Sequence, residues 1–143
     1  MKLSFCGTPG FAVAQLQALL EDDFFEVVQV VTQPDRPAGR GHKLQPSAVK
    51  VFAERRGLPV MSPENINAPE SIAALKDLDL DAIVVVAFGQ ILKKDFLSLC
   101  PQKCVNLHGS LLPRWRGAAP IQRALMAGDA ASGVSLQVSV PKL

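Results

Sequence analysis

The chain of 143 residues contains no apolar run near the ~18 residues that a membrane span requires. It also contains no internal repeat and no low-complexity tract. Its first ten residues, "MKLSFCGTPG", include no signal-peptide core and no transit pattern. Charged residues make up 20% and hydrophobic residues 48%, a balance that is typical of one globular domain and not of a disordered chain. We therefore expect a cytoplasmic protein that does not contact the membrane.

Cysteine is scarce: Cys6, Cys100 and Cys104 stand in apolar surroundings. An odd number of cysteines favours reduced thiols over a disulfide framework. Cys100 and Cys104 could be two metal ligands, but no second Cys or His pair stands at a suitable spacing, so we predict no metal site. The fingerprint G-x-G-x-x-G is absent as well, which makes a dinucleotide site at the "GTPG" turn a weak hypothesis.

The net charge of +2 is unevenly distributed. Residues 33–50 carry +3, and residues 114–123, which contain three arginines and no acid, also carry +3. Two basic segments on an otherwise acidic domain indicate a polyanionic ligand or partner. Two ordinary solvated loops are the alternative.

Apolar strand-like runs alternate with segments of helical spacing along the whole chain. We predict strands at 2–6, 27–32, 58–61, 81–89, 103–108 and 132–140. We predict helices at 11–22, at 48–56 after an N-cap at Ser47, after an N-cap near Asn67, and at 119–128. The unbroken apolar run within 81–89 is typical of a strand covered on both faces. The pattern predicts an α/β fold with a doubly wound, mainly parallel sheet.

In such a sheet, ligands bind beyond the carboxyl ends of the strands. Asn106 and His108 lie two residues apart at one such end, so their side chains project from the same face. An imidazole can exchange a proton near neutral pH, and a carboxamide can donate to a developing oxyanion. The pair therefore suits acyl transfer from a carbonyl donor to an amine. The alternative is that both side chains only satisfy local backbone groups.

Residues 33–45 form an unusually long connection between a strand and a helix, and the stretch 33–47 contains three prolines and two glycines. Its basic residues, spaced by turn-forming ones, suit a mobile loop that closes on phosphates, although a disordered excursion is also compatible. Trp115, between Arg114 and Arg116, could stack on a base or pack the following helix onto the sheet.

The segment "NLHGSLLPRWRGAAPIQRAL" resembles the signature of the folate-dependent formyltransferases, and its second half resembles the branch that formylates methionyl-tRNA. "FCGTPGFA", "VTQPDRPAGRGHKLQPS" and "DAIVVVAFGQIL" resemble that branch too, so the likeness covers essentially the whole chain. The resemblance implies a formyltransferase fold and a reaction in which the formyl group of 10-formyltetrahydrofolate moves to the α-amino group of methionine on initiator tRNA. It implies no metal and a monomeric parent enzyme.

The resemblance also implies residue roles. Asn106 and His108 map onto catalytic residues. The implied folate-binding residues are Phe88, Gly89, Gln90, Ile91 and Leu92 around the pterin, with Ser110, Leu111, Leu112 and Pro113. The implied tRNA contacts are Arg36, Arg40, His42 and Lys43, in the loop that enters the acceptor stem.

One departure from the family pattern concerns the end of the chain. The family's third catalytic residue, an aspartate, would follow Leu143 directly, so the catalytic domain is expected to be truncated here. Residues 1–143 would be its N-terminal part, without the C-terminal tRNA-binding β-barrel. We expect little or no activity from these residues alone. A formyltransferase acting on a nucleotide or sugar amine, or a non-catalytic folate- or RNA-binding fragment, are the alternatives.

Overall fold

The computed structural model describes residues 1–141 and is built around a six-stranded sheet. The strands of this sheet are β1 (Lys2–Gly7), β2 (Glu26–Val31), β5 (Val60–Met61), β6 (Ala82–Val86), β7 (Cys104–His108) and β8 (Ser135–Val138). Their order across the sheet is β5-β2-β1-β6-β7-β8. Every neighbouring pair is parallel except β7 and β8, which are antiparallel. The predicted doubly wound, mainly parallel fold is confirmed.

Five helices connect these strands: α1 (Gly10–Leu20), α2 (Ala48–Arg55), α3 (Pro69–Lys76), α4 (Lys94–Leu97) and α5 (Pro120–Met126). The two faces of the sheet each carry a separate apolar core. On one face, α1 and α2 cover side chains such as Phe5 and Val86, and on the other α3 and α4 cover Cys6 and Ile83. This double cover explains why β6 is almost entirely apolar.

The helix ends follow the local sequence in part. The Ser47 hydroxyl accepts a hydrogen bond from the Lys50 amide at 3.0 Å, which confirms the predicted N-cap of α2. The predicted helix α3 is present, but its N-cap is Ala68, one residue after the predicted Asn67, and has no capping side chain, with Pro69 as the first helical residue. Asn67 instead bonds the segment that follows β6. The short α4 was not anticipated at all.

Residues 33–45 are not the plain loop that the turn residues suggest. They form an antiparallel hairpin of β3 (Arg36–Ala38) and β4 (Lys43–Gln45), which pairs with nothing else in the described chain. Other strands are shorter than predicted: β6 stops at Val86 and β8 covers only four residues. Among residues 1–141, no helix is both long and apolar enough to span a bilayer.

Candidate active site

A cavity of about 1400 Å³ opens at the carboxyl edge of the sheet, where the chain order reverses between β1 and β6. This is the position at which open α/β sheets bind ligands. Its walls come from residues 87–94 after β6, 106–109 at the end of β7, 117–122 before and within α5, and 137–141 around β8, together with Pro9 and Phe11. The wall is mostly apolar, with a few polar groups, as small-molecule sites usually are.

Asn106 and His108 both line this cavity, and both side chains are half-buried. Parallel pairing places Asn106 beside Val85 of β6, and antiparallel pairing places His108 opposite Ser135 of β8. The strand therefore holds the amide and the imidazole on one side of the sheet at the cavity mouth, as their spacing predicts. Their catalytic role stays a prediction.

The His108 ring has a polar neighbour at each nitrogen. Its Nδ1 lies 2.9 Å from the Ser110 hydroxyl, and its Nε2 lies 3.3 Å from the Gly117 carbonyl oxygen. The Ser110 hydroxyl in turn donates to the Arg114 carbonyl oxygen at 2.7 Å. Since a serine has one hydroxyl proton and this one is given to Arg114, the serine oxygen is free to accept a hydrogen bond from an Nδ1–H of the ring. The Gly117 carbonyl oxygen can only accept, so Nε2 can donate to it whenever that nitrogen carries a proton.

Two amide side chains hold the wall after β6. Gln90 accepts from the Ile66 amide at 2.8 Å and donates to the Pro63 carbonyl at 3.0 Å. Asn67 donates to the Ile91 carbonyl and accepts from the Lys93 amide, both at 2.8 Å. The wall is thus tied to the segment before α3. The predicted folate segment 88–92 lines the cavity, with Phe88 buried and Ile91 82% exposed.

The predicted folate segment 110–113 does not line the cavity. Ser110 is fully buried behind it, and Leu111, which is 52% exposed, packs towards Gly133. Residues 117–122 occupy the wall instead. No local sequence pattern predicts that residues 117–122 line the cavity in place of 110–113, because this depends on how the loop after β7 folds back. A folate-contacting role for 110–113 stays a prediction.

The Trp115 side chain bonds to a carboxylate that sequence reasoning did not single out. Its indole Nε1 donates to Asp129 at 2.6 Å, and the Arg114 guanidinium lies 4.8 Å above its ring. Arg114 also donates to both Asp129 oxygens, at 3.0 and 2.6 Å. Hydrogen bonds from Arg114 and then from Trp115 hold the pKa of Asp129 below its usual value. The indole is thereby tied to the segment just after α5.

The basic residues of the β3–β4 hairpin are exposed and lie outside the cavity wall. Arg36 pairs with Glu64 at 3.1 Å, whereas Arg40, His42 and Lys43 make no side-chain hydrogen bond or ion pair within residues 1–141. His42 and its neighbours Gly39 and Gly41 have positive φ, which bends the hairpin tip. A polyanion could therefore reach the tip, while Arg36 is already partnered.

The three cysteines are buried and unpaired. Burial raises the pKa of Cys104 to about 11 and also raises the pKa of Cys6 and Cys100, so all three remain thiols at neutral pH. Within the described part of the chain, no group of three or more His, Cys, Asp or Glu side chains is placed to hold a metal ion.

Comparisons with known proteins relate the chain to one family. A family model described as formyl transferase matches residues 1–140. The chain is 56% identical, over its whole length, to methionyl-tRNA formyltransferase of Bdellovibrio bacteriovorus, and 58% identical, over 94% of its length, to that of Symbiobacterium thermophilum. It covers 45% and 41% of these two proteins, so it spans less than half the length of the curated relatives it matches.

Solved structures give the same fold at lower identity. Phosphoribosylglycinamide formyltransferase of Bacillus halodurans superposes with a TM-score of 0.75 at 20% identity, over 99% of this chain and 73% of that one. Glycinamide ribonucleotide transformylase 1 of Symbiobacterium toebii gives a TM-score of 0.73 at 18% identity, over 100% of this chain and 68% of that one. At this identity the likeness concerns the fold alone.

Proposed function

This chain belongs to the formyl transferase family over residues 1–140, and on that premise we propose that it supplies the donor pocket and two catalytic side chains of a methionyl-tRNA formyltransferase. The observation that carries the proposal is the meeting of Asn106 and His108 at the mouth of a largely apolar cavity of about 1400 Å³. A folate-type formyl donor follows from the family, and we propose 10-formyltetrahydrofolate as the specific donor.

The proposed acceptor is the α-amino group of methionine on initiator tRNA. Relatives that are 56–58% identical carry the name methionyl-tRNA formyltransferase, whereas phosphoribosylglycinamide formyltransferase and glycinamide ribonucleotide transformylase 1 resemble the chain in fold only. An exposed basic hairpin, which follows β2 at the same edge of the sheet as the cavity, suits an RNA backbone better than a small amine. Because charged initiator tRNA is used where translation takes place, we propose a cytoplasmic reaction.

In the proposed reaction, the lone pair of the amine attacks the formyl carbon and the carbonyl electrons move to its oxygen. The Asn106 amide and the Nε2–H of protonated His108 donate hydrogen bonds to this oxyanion. When the intermediate collapses, the bond between the formyl carbon and N10 breaks. His108 delivers its Nε2 proton to N10, and the neutral Nε2 then takes the proton that the attacking nitrogen releases. The products are the formylated amine and tetrahydrofolate.

The remaining roles follow from where each group lies. Residues 88–92 would hold the pterin through backbone groups, because the side chains of Gln90 and Asn67 are already used in fixing that wall. Ser110 would act from behind the cavity wall, through its hydrogen bond to His108, and the folate contacts of 110–113 stay part of the proposal. Residues 1–143 would form the N-terminal part of a catalytic domain, which a C-terminal tRNA-binding domain completes in a longer protein.

The function is tested in an extended protein. In this protein, residues 1–143 are followed by the part that the curated relatives have beyond the matched region. Labelled formyl transfer from 10-formyltetrahydrofolate is measured with methionyl initiator tRNA, a ribonucleotide amine and an amino sugar as competing acceptors. We expect label on methionine alone. If the label appears on a small amine and not on the tRNA, the chain still transfers a formyl group, but the proposed tRNA acceptor is wrong.

We predict that the hairpin tip contributes to tRNA affinity through charge. The double change Arg40→Ala with Lys43→Ala, made in the extended protein, should raise the KM for methionyl-tRNA and leave the KM for the folate donor unchanged. The slope of log K against log [salt] should become shallower by about 0.7–0.9 for each phosphate that is no longer neutralised. The measurement is tRNA binding at several salt concentrations.

A matched control removes two basic side chains elsewhere: Arg55→Ala at the far end of α2 and Lys76→Ala at the end of α3, both exposed. This control keeps the same net charge as the test variant. If both doubles weaken binding and flatten the salt dependence equally, the hairpin has no special role and only net charge matters.

A further inference from the structure

We infer that Asp129 is a positioning residue for the proposed reaction: it holds Arg114 and Trp115, and through the loop that carries them it fixes the His108 ring. The effect on catalysis rests on the proposed function. The positioning of the His108 ring by Asp129 does not depend on that function. Asp129 lies just after α5, 21 positions beyond His108 in the chain, and lines no part of the cavity.

Both oxygens of the Asp129 carboxylate accept hydrogen bonds from the loop after β7. One oxygen accepts from Arg114 Nη2 at 2.6 Å, and the other accepts from Arg114 Nε at 3.0 Å and from Trp115 Nε1 at 2.6 Å. The side chain of Asp129 is 14% exposed, whereas the Arg114 side chain that pairs with it is 61% exposed. A two-pronged arginine pair with a third donor fixes both the distance and the direction of the loop. We call this set of three bonds the Asp129 clamp.

The loop would not keep this shape from local preference alone. Trp115 and Ala119 have φ of +58° and +56°, in the left-handed region that side chains with a Cβ seldom occupy. Such residues persist where surrounding contacts over-determine them. For Trp115 the contact is the indole bond to Asp129.

The Asp129 clamp is connected to the imidazole by two short hydrogen bonds. The Arg114 carbonyl oxygen, next to the clamped side chains, accepts from the Ser110 hydroxyl at 2.7 Å. That bond commits the serine proton, so the serine oxygen accepts from His108 Nδ1 at 2.9 Å. If the loop moves, the serine proton is free to turn towards Nδ1. The Nε2–H tautomer, which can donate to the Gly117 carbonyl oxygen 3.3 Å away, is then no longer disfavoured.

Two readouts separate this inference from the proposed function. The first is the tautomer of the neutral His108 ring, read from the ring ¹⁵N chemical shifts of histidine-labelled protein. The chain has two histidines, so exposed His42 at the hairpin tip is an internal reference. The second is kcat and the donor KM of the extended protein, because a misplaced catalytic group can cost up to about 10²-fold in rate.

The test variant is Asp129→Ala, and the matched control is Asp23→Ala, an exposed carboxylate between α1 and β2. In the unaltered protein we expect the Nδ1–H tautomer at His108. In Asp129→Ala we expect a mixture of tautomers at His108, no change at His42, and a loss of kcat of about tenfold or more with a small change in KM. Asp129→Glu, which keeps the carboxylate, should recover part of both effects.

Trp115→Phe keeps an aromatic ring and removes one of the three bonds. It therefore tests the Asp129 clamp even if Asp129→Ala fails to fold. It should shift the tautomer and kcat in the same direction, by less. An Nε2–H tautomer in the unaltered protein, or an unchanged tautomer and kcat in both variants, would overturn the inference. If the tautomer shifts as expected but the unaltered extended protein transfers no formyl group, the Asp129 clamp stands and the proposed function fails.

Discussion

His108→Ala lowers the kcat of formyl transfer in the extended protein by about 10²- to 10⁴-fold, if the imidazole acts in proton transfer as proposed. Asn106→Ala lowers it by about 10²- to 10³-fold, the usual cost of removing one oxyanion donor. Both side chains face one cavity from one strand, so their effects should not add in the double variant. The measurement is kcat and KM for donor and acceptor in each single and double variant.

Gln17→Ala on the exposed face of α1 is a suitable control, because it removes a polar side chain that does not line the cavity. It should leave kcat unchanged. If His108→Ala changes KM alone and keeps kcat, the imidazole only binds substrate and the proposed proton transfer is wrong. Strictly additive effects in the double variant would likewise argue against joint action on one oxyanion.

Gly7→Ala destabilises the fold by about 1–3 kcal/mol, the cost of forcing extra carbon into a packed core. A Cβ at this position would lie 2.8 Å from Phe5 Cε1, 2.9 Å from Ala12 Cβ and 3.0 Å from the Val86 carbonyl oxygen. Two of these neighbours are a buried ring and a backbone atom, which cannot give way freely. Equilibrium urea unfolding measures the change in stability.

Gly10→Ala is the matched control from the same "GTPG" motif. A Cβ there meets nothing within 4 Å, and the residue begins α1. Alanine is the better helix former, so we expect an effect between neutral and a stabilisation of about 1 kcal/mol. Equal destabilisation by both changes would mean that the motif matters for its turn and not for close packing at Gly7.

Much of the fold was predictable because its signals are local. The apolar run of β6, the Ser47 cap and the alternation of strands with helices each depend on a few adjacent residues. The β3–β4 hairpin was missed because prolines and glycines predict turns without saying whether the flanks pair. Gly7 was predicted as a turn residue, whereas its close neighbours include β6 and α1, which no local pattern reveals.

The part of the candidate site that depends on strand periodicity was also predictable. Strand periodicity placed Asn106 and His108 side by side at the correct edge of the sheet. Which residues line the far wall depends on how the loop after β7 folds back, and that loop is held by Asp129, distant in sequence. Asn67 was likewise predicted as a helix cap, but its side-chain amide bonds to the backbone of Ile91 and Lys93 in the cavity wall after β6.

The most direct test of the account is labelled formyl transfer to methionyl initiator tRNA, comparing the extended protein with the 143-residue chain. We predict transfer by the extended protein and little or none by the chain alone, in which Leu125 and Met126 of α5 and Leu136 of the edge strand β8 are 75%, 88% and 67% exposed. Transfer by neither protein would contradict the proposed function. Full activity in the 143-residue chain would show that nothing beyond Asn106, His108 and their cavity is needed.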